Sequence, residues 1–237
     1  MTATQDAQQA DIPTICRACE ARRGGLCGVL KARQLAELAG ASSRHEVPAG
    51  MELSDDGTYS NLLSGVIKLT RNLPGGRQQI VGFHFAPDFL GRPFEAKRPI
   101  KAEALTNVEL CSFPGTTIDR MINEAPELAR QLLRHALNEL DDARDWMAAL
   151  GRKTASEKVA SFLLMVAGNI DPAHHPASSM SFDLPLTRAD IADFLGLTIE
   201  TVSREFSRLR SDGAIQIANK RHISLASLAQ LKERCGD

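Results

Sequence analysis

The sequence predicts an α+β protein: a small antiparallel β-structure, then a long helix, then a helix-turn-helix closed by a β-hairpin wing. Three observations predict it. Short apolar runs between Glu46 and Phe113 are broken by turn signals at Pro48-Ala49-Gly50, Asp55-Asp56-Gly57, Pro74-Gly75-Gly76 and Ala86-Pro87-Asp88, the regular punctuation of a sandwich or barrel. From Thr116 the apolar spacing becomes helical and stays so, across Pro126, to Leu150. Two short amphipathic stretches then meet at Gly196-Leu197 and are followed by two strand-like runs.

The 237 residues divide on this pattern into a cysteine-bearing segment 1–30, a β-domain 31–115, a helix 116–151 and a second domain 152–237. Residues up to about 30, with Arg22-Arg23-Gly24-Gly25, read as a loop, and Lys31–Ala39 as a short helix. Leu62–Thr70 and Gln79–Phe85 are the clearest strands. A kink is expected at Pro126. Beyond it Leu133, Ala136, Leu140, Ala143, Met147 and Leu150 alternate spacings of three and four. Such a seam suits two paired helices, or one helix laid on its own sheet. Gly151 closes the helix in this reading, Thr154–Val166 forms the next, and 168–181 is a loop containing His174-His175.

Lys and Arg number 28 against 29 Asp and Glu, a net charge of −1, so any nucleic-acid affinity has to come from a local basic surface. No apolar run is long enough to span a bilayer, and residues 1–11 lack a signal-peptide core. The expectation is a cytoplasmic protein with reduced thiols and no membrane partner. No phosphate loop, paired-carboxylate motif or nucleophile-with-base signature occurs, so the chain is not read as an enzyme.

Thr187–Leu195 is one amphipathic helix; Thr198 caps a second running from Ile199 to about Leu209. Small Ala192 sits where the two cross, with Ile191, Leu195, Leu197, Val202 and Phe206 between them. Glu200, Ser203, Arg204 and Ser207 share the opposite face. Arg204 can pair with guanine O6 and N7, Glu200 can accept from a cytosine amino group, and Ser203 suits either base type. Arg188 and Thr201 are placed for phosphates. The bland alternative is a solvated helical hairpin with a Glu200–Arg204 ion pair. The runs Ala214–Ile217 and His222–Leu225, split at Asn219, make the wing.

Cys16, Cys19 and Cys27 put three soft ligands within twelve residues, and Cys111 offers a fourth. Thiolates select zinc or iron–sulfur clusters, and spacing does not choose between them.

The run Leu186–Arg210, above all Glu-Thr-Val-Ser-Arg at 200–204, resembles the Crp/Fnr family of bacterial regulators, and the likeness extends over nearly the whole chain. Gln79–His84 and Leu63-Ser64-Gly65 are similar to segments of the Fnr branch. The resemblance implies a cyclic-nucleotide-binding-like β-roll, a dimerisation helix and a winged helix-turn-helix. It implies a homodimer on palindromic double-stranded DNA with TTGAT-type half-sites, RNA polymerase as a further partner, and activation under low oxygen. The isoleucine at 199 stands where the cyclic-AMP-dependent branch has a base-reading arginine. The resemblance also implies a [4Fe-4S] cluster on Cys16, Cys19, Cys27 and Cys111, with Cys235 incidental. Ala143 replaces an acid that weakens pairing in the enteric protein, so oxygen is expected to govern dimerisation less sharply here.

Two other readings remain. A cyclic-nucleotide regulator needs a Gly-Glu pair for the ribose, but Gly91 is followed by Arg92-Pro93, leaving only Arg98 and Lys101 for a phosphate. The other is a metalloenzyme or a protein-interaction module with structural zinc, and a regulator of the resembled type could itself answer another small ligand or hold structural zinc in place of the cluster.

Overall fold

The computed structural model describes residues 12–54, 57–76, 78–92, 100–171, 175 and 178–236. Asp55, Asp56, Pro93, Arg98 and His174, named above, lie outside these. The chain divides into two compact units, 1–71 with 83–140 and 72–82 with 141–237.

In the first unit the segment expected as a loop is folded into short turns, α1 (Thr14–Arg17), α2 (Glu20–Arg23) and a 3-10 turn at Leu26–Val29. Leu26, Cys27 and Leu30 are buried with Leu35, Leu38, Tyr59, Phe89 and Phe113 in one core. Chain so close to a core must satisfy its own amides, and helical turns do that locally. Helix α3 (Ala32–Gly40) follows, one residue later than its expected span.

Among the described residues the strands that follow are β1 (Ser43–Val47), β2 (Thr58–Ser64), β3 (Val66–Asn72), β4 (Gln78–Phe85), β5 (Phe89–Leu90), β6 (Lys101–Ala104) and β7 (Val108–Pro114). They form sheets in the orders β1-β7-β2-β5 and β4-β3-β6, with the pairs β1–β7, β7–β2, β2–β5 and β3–β6 antiparallel. Leu62–Thr70, expected as one strand, is two. Gly65 breaks it at φ 90°, and a Cβ there would stand 2.5 Å from the Asn107 carbonyl oxygen. Only glycine accepts both the angle and the approach.

Pro126 does not kink a continuous helix. Helix α4 (Gly115–Glu124) ends, Ala125 is extended (φ −130°, ψ 90°), and α5 (Pro126–Arg152) starts afresh. The proline ring excludes helical geometry from the residue before it and suits the first turn of the next helix. Gly151 lies within α5 and does not close it. Leu133, Ala136, Leu140, Ala143, Met147 and Leu150 are all solvent-exposed on α5, and Leu137 joins them.

In the second unit α6 (Ala155–Ile170) begins at a capping box, Thr154 accepting from the Glu157 N–H, and outruns its expected end at Val166. Strand β8 (Met180–Asp183) begins within the expected loop, its first two residues falling there. Its Met180 and Phe182 are buried in alternation, and it pairs with the wing. Helices α7 (Arg188–Leu195) and α8 (Ile199–Ser211) precede β9 (Ile215–Ala218), β10 (His222–Leu225) and α9 (Leu228–Lys232), in a sheet ordered β8-β10-β9. The wing turns through Asn219, Lys220 and Arg221, the first two in the left-handed region at φ 48° and 63°, where asparagine is among the residues that tolerate it best. Trp146 of α5 meets Phe194 edge-on with ring centroids 4.7 Å apart, and Phe194 meets Phe162 at 6.0 Å. Cys235 is fully buried, its thiol donating to the Leu231 carbonyl at 3.4 Å. Among the described residues no helix is long and apolar enough to cross a membrane.

Candidate DNA-reading helix and cysteine pocket

The two short helices are built from their ends inward. Thr187 Oγ1 accepts the Asp190 N–H at 3.1 Å, and the Asp190 carboxylate accepts the Thr187 N–H at 3.0 Å. Gly196 ends α7 in the left-handed region at φ 63°. Two residues on, Thr198 Oγ1 accepts the Thr201 N–H at 3.2 Å and starts α8. Ile191, Ala192, Leu195, Val202 and Phe206 are buried between the helices as the sequence implies, whereas Leu197 is only half-buried.

Glu200, Ser203, Arg204 and Ser207 are exposed together on α8. The bland Glu200–Arg204 pair does not form. The Glu200 carboxylate is held below its ordinary pKa by its own backbone N–H and by Thr198. Arg204 Nε instead lies 3.5 Å from Glu205 Oε1, and Arg208 reaches 4.0 Å from Glu205 Oε2. Glu205 itself is buried, so two exposed arginines are anchored from beneath by one carboxylate. The sequence reading missed this residue, although a lone acid on the apolar face of an amphipathic helix was its signal.

The two phosphate candidates are less free. The Arg188 guanidinium lies 3.5 Å from the centroid of the Phe206 ring, a cation–π seat, and burial pulls its pKa down. Thr201 is half-buried with its hydroxyl 3.2 Å from that of Thr198.

In the first unit, Cys16, Cys19, Cys27 and Cys111 line one pocket. Side chains alternate along β7, so Val108 and Leu110 point to the sheet core while Cys111 points the other way. Arg44 and Asn61 are its direct neighbours on the flanking strands. Arg44 donates to the Ile15 carbonyl at 2.8 Å, tying the cysteine segment to the sheet. Asn61, 1% exposed, donates through Nδ2 to Cys27 Sγ at 3.3 Å, and its Oδ1 is buried without a hydrogen bond. Leu35, Leu38 and Ala39 of α3 complete an apolar wall. Neither Arg44 nor Asn61 was legible in the sequence, because only strand register sets them beside Cys111.

All four cysteines are free thiols. Burial pushes Cys27 up to about 12, against the Asn61 hydrogen bond, with Cys111, Cys19 and Cys16 adding to the rise. Cys16 and Cys111 are raised too, first by burial; Cys19 and Cys111 add to the rise at Cys16, and Cys19 at Cys111, while Arg44 opposes it at both. Negative charge is therefore costly here unless a cation shares the pocket. Among the described residues no set of three or more His, Cys, Asp or Glu already stands around a metal position.

A β-roll followed by a long helix with an exposed apolar seam and a winged helix-turn-helix defines a class: paired regulators that read DNA. The comparisons with known proteins give the same class. Residues 157–234 match a Crp-like helix-turn-helix domain, and residues 53–125 match a cyclic nucleotide-binding domain. A Rhizobium leguminosarum bv. viciae protein described as "Probable transcriptional activator" is 52% identical over 224 residues, 93% of this chain and 92% of that one. Transcriptional activator protein FnrL of Cereibacter sphaeroides is 38% identical, covering 96% and 95%. The solved structure of FixK2 from Bradyrhizobium japonicum superposes with a TM-score of 0.71 at 30% identity, covering 81% of this chain and 96% of that chain. The chain belongs to the Crp/Fnr family of transcription regulators, in its Fnr branch.

Proposed function

We propose that this protein is an oxygen- or redox-responsive transcription activator, binding a TTGAT-type palindrome as a homodimer under the control of a [4Fe-4S] cluster. One observation carries the reading: cysteines from the N-terminal turns and from a strand near residue 111 wall a single pocket. The residues fit such a group. Four thiols are the soft donor set that iron–sulfur clusters take. Asn61 Nδ2 already aims an N–H at one sulfur, the kind of outer contact that tunes clusters. Arg22 and Arg44 supply positive charge at the pocket wall, and the leucines of α3 keep water out.

A bound cluster supplies an oxygen-labile cross-link between the N-terminal turns and β7. Everything else is done by the chain. Cys16, Cys27 and Cys111 give up protons on ligation, since all three are neutral thiols without a cation. Leu26 and Leu30 keep the N-terminal turns in the same core as Ile118, Met121 and Leu128 of α4 and α5. Loss of the cross-link changes the state of α5 only by the difference in its affinity for two conformations. Glu200, Ser203 and Arg204 then read base edges when two copies present α8 to successive major grooves. RNA polymerase is the partner such an activator recruits.

The test is direct. Protein purified without oxygen should be brown, contain about four irons per chain, and bleach in air with loss of binding to a TTGAT palindrome. A colourless protein holding zinc in that pocket would overturn the oxygen reading. Gel filtration of both samples checks the seam. With Ala143 in place of an acid, the expected result is a dimer in each.

A further inference from the structure

In the first unit, a second group of metal-type donors lies away from the cysteines, between the end of β4 with the turn that follows it and helix α5. His84 and Asp88 are four apart, as are His135 and Glu139 on one face of α5. His84 Nδ1 lies 3.3 Å from Asp88 Oδ2 and 3.8 Å from Glu139 Oε1, and His135 Nε2 lies 3.4 Å from the same Glu139 oxygen. Donors at about 2.0–2.2 Å from a shared tetrahedral ion stand roughly 3.3–3.6 Å from one another. Two of the three separations already match, and the third is long by only a few tenths of an ångström.

Hydrogen bonding sharpens the picture. His135 Nε2 is buried and faces its ion-pair partner Glu139, so a divalent ion would take that nitrogen by displacing its proton. Asp88 is oriented by the backbone, its Oδ2 accepting the Phe85 N–H at 2.9 Å. His84 is mostly buried, whereas Glu139 keeps a half-exposed carboxylate able to turn between the two rings.

We propose that His84, Asp88, His135 and Glu139 form a binding site for a divalent transition-metal ion, zinc being the best match to two imidazoles and two carboxylates. The four do not yet surround one point, so binding draws the Glu139 carboxylate and the two rings inward. The ion would cross-link the 84–88 segment to the stretch of α5 that carries Leu133, Leu137 and Leu140. The same segment carries Pro87, whose carbonyl oxygen would lie 2.9 Å from a Cβ at Gly25, so it touches the cysteine-bearing turns on one side and the seam helix on the other. The site is independent of the cluster reading, because it uses nitrogen and oxygen donors only.

The experiment uses the full chain, stripped with chelator and titrated with Zn²⁺ by calorimetry, with Co²⁺ as a spectroscopic stand-in. A variant with Cys16, Cys19, Cys27 and Cys111 all replaced by serine should bind one ion whose cobalt spectrum lacks thiolate charge transfer, and the wild type should bind that ion in addition to any held by the thiols. His135→Gln and Glu139→Gln should each weaken that ion by about a hundredfold, with melting curves in chelator reporting whether each variant folds. Glu139 is exposed enough that its variant remains informative if His135→Gln does not fold. Equal zinc affinity in wild type and Glu139→Gln overturns the proposal, as does loss of all zinc on cysteine replacement.

Discussion

Met147 offers a measure of the seam. It is 74% exposed in the single chain, the most exposed of the large apolar side chains on α5. Full burial of such a side chain stabilises by about 1.5–3 kcal/mol, so covering three quarters of it is worth about 1–2 kcal/mol. A two-fold interface counts the residue twice, about 2–4 kcal/mol per dimer. Met147→Ala keeps the Cβ, which places the loss near 2–3 kcal/mol and weakens dimerisation about 30- to 150-fold. Sedimentation velocity over a dilution series reads that shift directly. Affinity for a palindrome should fall in parallel, because two recognition helices must be presented together, while binding to an isolated half-site stays unchanged. An unaltered dimer constant would refute the assignment of this face of α5 to pairing. It would favour a helix that meets its partner elsewhere.

Three further outcomes are expected. Arg204→Ala should lose about 1–3 kcal/mol of discrimination at one guanine in competition binding with half-site variants; an unchanged preference would remove α8 as the reader. Phe206→Ala deletes a ring that is 1% exposed and seats Arg188, so chemical denaturation should show a loss of about 3–5 kcal/mol, and a near-neutral result would mean the core between α7 and α8 collapses around the gap. Gly25→Ala places a Cβ 2.8 Å from the Ala21 carbonyl oxygen and 2.9 Å from that of Pro87, so iron content after anaerobic purification should drop well below wild type while the melting of the second unit is untouched; full iron occupancy would show that the turns are not what gathers the cysteines.

The sequence by itself determined the elements whose signals are local. Thr187, Gly196 and Thr198 mark their own helix ends, since a cap or a left-handed glycine acts within three residues, and the reading face of α8 follows from helical spacing alone. The seam on α5 was legible for the same reason, although whether its apolar face met another chain or its own sheet could not be read from periodicity. What the sequence misjudged was decided by burial. Residues 14–29 looked like a loop because their glycines and arginines are locally unstructured in character, yet Leu26, Cys27 and Leu30 enter a core assembled from β2, β5, β7 and the helices. Strand β8 hid inside a stretch rich in proline and serine because its pairing partner, β10, lies some forty residues further along. The position of Cys111 beside Arg44 and Asn61 is a matter of register between three strands distant in sequence. Nothing local encodes which residues become lateral neighbours, so the trio Cys16, Cys19 and Cys27 was readable from spacing and Cys111 was joined to it by the family resemblance, while their convergence on one pocket belonged to the tertiary structure.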